Sequence, residues 1–195
     1  VRISSTKETP GTFTLVTEKP ARQAMAWVSM SYQPAGNGDK IKARSDGFVV
    51  SRRLLVYKDL ENPPEQHTAE AGKTLTLPMG TVVEEHIRVV NAEDRFYVAV
   101  TAPFAAGFEP MNPNLATSPP EAKPAGVFTL KPDYAIYADD AVTFYFDQLP
   151  KGTYDFYFRL RSAVEGSFSH PPASAELMYQ LPVRGNSDGL RINVL

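Results

Sequence analysis

The chain has 195 residues, 43% of them hydrophobic, and its 20 Lys and Arg nearly balance 22 Asp and Glu for a net charge of −2. That apolar share supports a buried core and excludes disorder for most of the chain, while the absence of a basic block argues against nucleic acid as a partner. There is no cysteine, which excludes disulfides, thiolate metal sites and cysteine nucleophiles, and no run of 18 apolar residues that would span a membrane or bring direct membrane contact.

The chain opens VRISSTKETPGTFTLV, without an initiator Met or the apolar stretch of a signal peptide. It reads as a piece of a longer protein whose signal lies outside it. Alternation of apolar and polar residues then dominates, the mark of half-buried strands. Phe13, Leu15 and Thr17 form one alternating set. Ala24, Ala26, Val28, Met30 and Tyr32 form a second, with Trp27 on the opposite side. Phe48, Val50, Arg52, Leu54 and Val56 form a third. The polar stretch PPEQHTAEAGKT has no apolar stripe and is expected to make at most a turn or two. A domain boundary at Asp59–Lys73 would leave too few strands before it to cover two faces, so residues 1–195 are expected to form one domain.

Val83, Glu85, Ile87 and Val89 lead through the polar turn NAEDR to Phe96, Val98 and Val100. Next comes Gly107–Phe128, with Pro110, Pro113, Pro119, Pro120 and Pro124. Proline cannot donate to a ladder, so this segment is predicted to leave the sheet as a long ordered loop laid over it. Phe108, Met111 and Leu115 are expected to pin it. The loop is the expected contact surface, with Phe108, Glu109, Met111, Asn112, Asn114 and Leu115 as its candidate interaction residues. Beyond it, Val142, Phe144 and Phe146 alternate with Thr143, Tyr145 and Asp147. Tyr154, Phe156, Phe158 and Leu160 alternate with Asp155, Tyr157, Arg159 and Arg161. The LPKGT between them predicts a hairpin. ASAELMY and LRINVL close the chain. About ten short strands, with Gly, Pro, Asn and Asp in the gaps, predict an all-β fold, an antiparallel β-sandwich.

The motifs that carry chemistry are weak. Gly185–Gly189, GNSDG, fits the G-x-S-x-G of a nucleophile elbow. A final strand rather than a helix follows it, and His67, His86 and His170 all precede Ser187. A turn is the expected role, and a hydrolase using Ser187 the rival one. The three histidines lack metal-ligand spacing and are expected at the surface or rim. Glu84 and Glu85 are adjacent in a strand, so they point to opposite faces and cannot act on one substrate. Asp139 and Asp140 are expected to shape a turn. Trp27, Tyr32, Tyr57, Tyr145 and Tyr157 fit core packing better than a carbohydrate platform. No catalytic residue, cofactor or metal site is predicted.

Asp94–Thr117, DRFYVAVTAPFAAGFEPMNPNLAT, resembles the strand-and-loop signature near the C-terminus of bacterial α2-macroglobulin-like proteins, where Asp-Pro-Leu-Pro-Ala-Gly-Phe-Glu-Pro is common. Gly107–Pro110 keeps the Gly-Phe-Glu-Pro. Leu149–Ser187 is similar to that family's closing segment. The matching pieces are Leu149–Gly152, Arg161 with Ala163, Gly166–Phe168, Pro171–Ala173, Met178–Tyr179 and Arg184–Gly185. Gly47–Tyr57, GFVVSRRLLVY, is similar to the strand before its polar linker. The sequence departs at Thr101 and Ala102, where an Asp is common, and at Phe104 and Ala105, which replace Leu-Pro. The resemblance implies a C-terminal macroglobulin-type (MG10-like) domain with an immunoglobulin-like sandwich. It further implies a non-catalytic part of a periplasmic or cell-envelope endopeptidase inhibitor. The partners implied are neighbouring domains of the parent chain and, through the intact protein, peptidases. Some family members work beside a peptidoglycan synthase. The family's thioester motif, Cys-Gly-Glu-Gln, cannot lie in this cysteine-free segment. The alternative is a stand-alone extracellular carbohydrate-binding or adhesion module.

Overall fold

A computed structural model of the chain describes residues 38–58, 62–180 and 182–195. The alternating sets around Phe13 and Ala24, including Trp27 and Tyr32, lie outside the described residues, and so does the first part of the expected single domain. In chain order the strands are β1 (Arg44–Asp46), β2 (Phe48–Val56), β3 (Glu65–Thr68), β4 (Thr74–Leu77), β5 (Val82–Asn91), β6 (Arg95–Pro103), β7 (Phe108–Met111), β8 (Tyr134–Tyr137), β9 (Ala141–Leu149), β10 (Gly152–Ser162), β11 (Gly166–His170), β12 (Ser174–Leu177), β13 (Arg184–Asn186) and β14 (Leu190–Val194). Two short 3-10 turns, Gly38–Lys40 and Pro120–Ala122, complete the elements, and no α-helix occurs among the described residues.

The strands form a six-stranded sheet, β1-β13-β12-β6-β9-β8, and a five-stranded sheet, β3-β2-β5-β10-β7. Their apolar faces meet. Phe144 and Phe146 of the first sheet lie 5.6 and 5.2 Å from Phe156 of the second, centroid to centroid. A small third sheet, β11-β14-β4, adds Leu77, Leu190, Ile192 and Val194 to the same core. All strand pairs are antiparallel except β4 with β14. The predicted all-β sandwich is therefore present, and the alternating faces fall as the period-two pattern requires: β2 buries Phe48, Val50, Arg52, Leu54 and Val56. Phe96 departs from its set and is exposed at the start of β6.

The predicted hairpin is not one. β9 pairs with β6 and β8, whereas β10 pairs with β5 and β7. The LPKGT turn carries the chain from one sheet across to the other. Side chains hold it in place of a shared ladder. Asn91 Nδ2 donates to the carbonyls of Leu149 and Pro150, at 2.8 and 2.9 Å. The Lys151 N–H donates to Asp94, and the Tyr154 hydroxyl to Pro150 O. Both strands have a fully apolar face to bury, and facing each other across the core buries both.

Two further expectations are corrected. The polar PPEQHTAE stretch, expected to make at most a turn or two, holds strand β3, which pairs with β2 from Arg53↔Thr68 to Val56↔Glu65. Its polarity suits an edge strand, where charge discourages unwanted pairing. The proline-rich segment also does not leave the sheet at once: Phe108–Met111 is β7, paired to Arg159–Ser162 of β10. Pro110 is tolerated because β7 is the sheet's edge.

Candidate functional site

β5 separates two buried charge clusters. Side chains alternate along it, so Glu84 and Glu85 go to opposite faces as predicted, and both are fully buried.

Glu85 points into the sandwich. Arg52 donates from Nε to its Oε2 at 2.8 Å, and both side chains are inaccessible to solvent. Arg52 Nη1 also donates to Pro103 O at 2.8 Å and Pro171 O at 2.7 Å. The guanidinium thereby ties β2 to the end of β6 and to the turn before β12. His170 Nε2 lies 3.0 Å from Glu85 Oε1, and His170 Nδ1 accepts the Ala105 N–H at 3.0 Å. Because Nδ1 is an acceptor, the neutral ring carries its proton on Nε2, toward the carboxylate. Burial, followed by the charge on Arg52, pushes His170 down to about 4. Burial would push Glu85 up, but the charges and hydrogen bonds of Arg52 and His170 outweigh it and hold Glu85 at about 2. At neutral pH the imidazole is uncharged, so Arg52 is the cation that keeps Glu85 ionised.

Acid should weaken the fold in two overlapping steps. Below its ordinary value of 6.5, His170 takes a proton in the unfolded chain, but the folded chain resists protonation until about 4. Stability falls across that window by about 3 kcal/mol. Glu85 contributes stability that is present above its ordinary 4.5 and is lost as pH falls toward 2. Urea titrations at pH 7, 5.5 and 4 should show the first decline, and His170→Gln should flatten it.

Glu84 points to the outer face of the five-stranded sheet, where the proline-rich segment lies. Its Oε2 accepts Arg159 Nε and the Ala125 N–H, each at 2.8 Å, and Oε1 accepts the Gly126 N–H at 2.9 Å. Arg159 Nη1 donates to Glu121 O at 2.9 Å, and its guanidinium sits 4.8 Å from the centre of the Tyr57 ring. Arg161 pairs with Glu121. One carboxylate and one guanidinium thus fasten the strap at both its 3-10 turn and its exit. Gly126 lies so close to Tyr157 that a Cβ would come within 2.3 Å of the ring, which only glycine permits. Phe128 then enters the seam between the sheets, with ring centroids 5.4 Å from Phe144 and 5.9 Å from Phe156.

The six candidate contact residues divide. Phe108 and Met111 are buried in the domain itself and serve as pins. Asn112 builds a local turn, its Oδ1 accepting the Asn114 N–H and its carbonyl the Ser118 hydroxyl. Glu109, Asn114 and Leu115 face outward. Leu115 was expected to pin the loop, but it is 57% exposed. The pinning falls to Ala122 and Phe128 instead.

Two of the histidines also correct the sequence reading. His170 is fully buried, and His86 is nearly so. His86 lies 2.6 Å from Asp155 and stacks on Tyr157 at 4.5 Å. His67 is partly exposed, 3.4 Å from Glu65. Ser187 is buried; its hydroxyl accepts the Ala173 N–H and donates to Asp188 O, both at 3.0 Å. That oxygen is committed to the turn. Among the described residues, no group of three His, Asp or Glu is placed to hold a metal ion.

The arrangement is one of fasteners around a strapped sandwich. A family model described as the bacterial alpha-2-macroglobulin MG10 domain matches residues 47–180. The chain belongs to that family. The matched stretch runs from the start of β2 to just past β12, so it contains both clusters and the strap. Solved structures share the fold of this MG10 domain. Salmonella alpha-2-macroglobulin reacted with methylamine matches with a TM-score of 0.55 at 17% identity, over 78% of this chain and 10% of that one. Trypsin-activated alpha-2-macroglobulin from Escherichia coli matches with a TM-score of 0.57 at 16% identity, over 78% of this chain and 11% of that one. A native Escherichia coli structure spanning domain MG7 to the C-terminus gives 0.58 at 16% identity, over 77% and 24%. This chain therefore spans about a tenth of the length of the first of these relatives. No match was found among curated proteins.

Arg52, Glu85 and the Glu84–Arg159 pair escaped the sequence reading as a site. The available signal was charge in phase with an apolar face: Arg52 falls among Phe48, Val50, Leu54 and Val56, and Glu85 among Val83, Ile87 and Val89. Two opposite charges in such positions on different strands point to each other.

Proposed function

We propose that this MG10 domain is a non-catalytic, C-terminal part of a bacterial alpha-2-macroglobulin-like endopeptidase inhibitor of the periplasm or cell envelope, with a structural and contact-making role. The family match over residues 47–180 carries the reading. The site chemistry supports it: the buried ionisable groups hydrogen-bond to the protein's own backbone and to each other, and the strap presents a preformed outer surface. Neighbouring domains of the parent chain would meet Glu109, Asn114 and Leu115 on that surface. Peptidases would be met only through the intact protein.

The test uses the complete parent polypeptide. With trypsin added, the parent should shield a large protein substrate and leave a small peptide substrate accessible. Replacing Glu109, Asn114 and Leu115 together by Ala should weaken that shielding about tenfold without lowering the domain's melting temperature. Undiminished shielding would remove the strap from the contact role. No shielding by the unmodified parent would remove the inhibitor role.

One observation favours the second reading, a carbohydrate-binding or adhesion module. Tyr97 and Tyr179 are both exposed and lie edge-to-face at 5.5 Å. Tyr97 also has φ of 56°, a conformation bulky residues avoid. Retention on insoluble polysaccharide that Tyr97→Ala and Tyr179→Ala abolish would favour this reading.

A further inference from the structure

Among the described residues, the six-stranded sheet ends at β8, which pairs with β9 on one side only. An edge strand presents unpaired N–H and C=O groups, and natural proteins guard such edges with charge or proline. In the two larger sheets the other end strands carry those guards. β1 is Arg-Ser-Asp, β3 contains Glu65, and β7 contains Pro110. β8 is Tyr-Ala-Ile-Tyr, with no charge and no proline. Its residues Tyr134 and Ile136 are exposed, Tyr134 to 63%.

A groove of about 840 Å³ lies beside β8. Tyr134, Ala135 and Tyr137 line one wall, and Pro113, Pro124 and Val127 line the other. Val127 is 81% exposed. The far wall belongs to the strap, and Glu84 fixes it by holding the Ala125 and Gly126 N–H groups. The groove is therefore built in advance, which lowers the entropy lost when a ligand enters.

Its lining carries two cations against one anion. Lys123 and Lys131 line it and have no ion-pair partner among the described residues. The one acidic lining residue, Asp133, already accepts the Asp147 N–H at 2.8 Å. The comparable cleft beside β4 differs: its Lys58 and His67 both already lie against Glu65.

We propose that β8 is a docking edge, on which an extended segment of a separate polypeptide, apolar at alternate positions and flanked by acidic residues, adds as a seventh strand along the groove. Backbone ladder bonds supply the affinity, alternate side chains meet the Tyr134 and Val127 walls, and the flanking carboxylates meet Lys123 and Lys131. The inference goes beyond the inhibitor reading and stands apart from it, because it depends only on this edge and groove.

The test titrates the 195-residue chain against a fluorescein-labelled probe, acetyl-Glu-Val-Thr-Val-Thr-Val-Glu-amide, by fluorescence anisotropy. Saturable binding is expected, together with slowed amide exchange in Tyr134–Tyr137. The double variant Lys123→Glu, Lys131→Glu should bind at least tenfold more weakly. Both lysines are exposed, so the variant should fold normally. A probe with Pro at its centre should also bind at least tenfold more weakly. Three outcomes would overturn the proposal: no binding at millimolar protein, equal binding of the proline probe, or equal binding by the double variant. So would self-association of the chain that Ile136→Lys abolishes, which would assign the edge to a second copy.

Discussion

Glu85→Gln should destabilise the domain by about 3–5 kcal/mol, the largest effect expected of any near-isosteric change in this structure. The amide keeps the shape of the carboxylate and removes its charge. Arg52, whose side chain is inaccessible to solvent, then holds an uncompensated charge between the sheets. Its bonds to Pro103 O and Pro171 O survive, but two carbonyl dipoles do not replace an anion. For a domain of this size the loss corresponds to a fall in melting temperature of about 10 °C. Urea unfolding measures it directly. Removing both charges, with Arg52→Met and Glu85→Leu, should cost less than Glu85→Gln alone, because desolvating an ion pair consumes much of what the pair returns. A cost below about 1 kcal/mol for Glu85→Gln, the range of exposed pairs, would show that water reaches the guanidinium and that the cluster is not a fastener.

The core faces were legible because alternation reports them residue by residue. Val142, Phe144 and Phe146, and Tyr154, Phe156, Phe158 and Leu160, all turn inward. Pairing was less legible. LPKGT has the local chemistry of a hairpin turn, but whether its flanking strands share a sheet depends on Asn91, Asp94 and Tyr154, which lie outside the turn. Pro110 argued against a strand and was right for a strand interior. It could not reveal that Phe108–Met111 would be the last strand of its sheet, with only β10 to pair with, where a proline is tolerated. His170 looked like a turn residue before two prolines. Its burial is set by Glu85 and Ala105, both far away in the chain. Arg52 and Glu85 were each placed on the correct face. What joins them is that two buried opposite charges need each other, and alternation within a single strand does not report that need.

Glu84→Ala should break the strap and leave the sandwich standing. Glu84 lies one residue from Glu85 and is equally buried, yet its partners lie on the other side of the sheet. The substitution removes the acceptor of Arg159 Nε and of the Ala125 and Gly126 N–H groups. Arg159 retains Glu121 O and the Tyr57 face. Charge-assisted bonds contribute about 1.5–3 kcal/mol each, and these three are not additive, so a loss of about 3 kcal/mol is expected. It should appear locally. Amide exchange at Ala125 and Gly126 should accelerate by about a hundredfold, the factor that 3 kcal/mol implies, while the amides of β9 and β10 slow or hasten little. Thermolysin should cut the segment before Leu115 or Val127 under conditions in which the unaltered chain resists. Phe128, wedged against Phe144 and Phe156, should hold the end of the segment in place and confine the opening to residues upstream. If Glu84→Ala instead unfolds the whole domain in one transition, as Glu85→Gln should, the segment is part of the core. A uniform rise in exchange across β9 and β10 would likewise place it there. Two neighbouring carboxylates with different failures, one global and one local, would follow from the period-two alternation of a single strand.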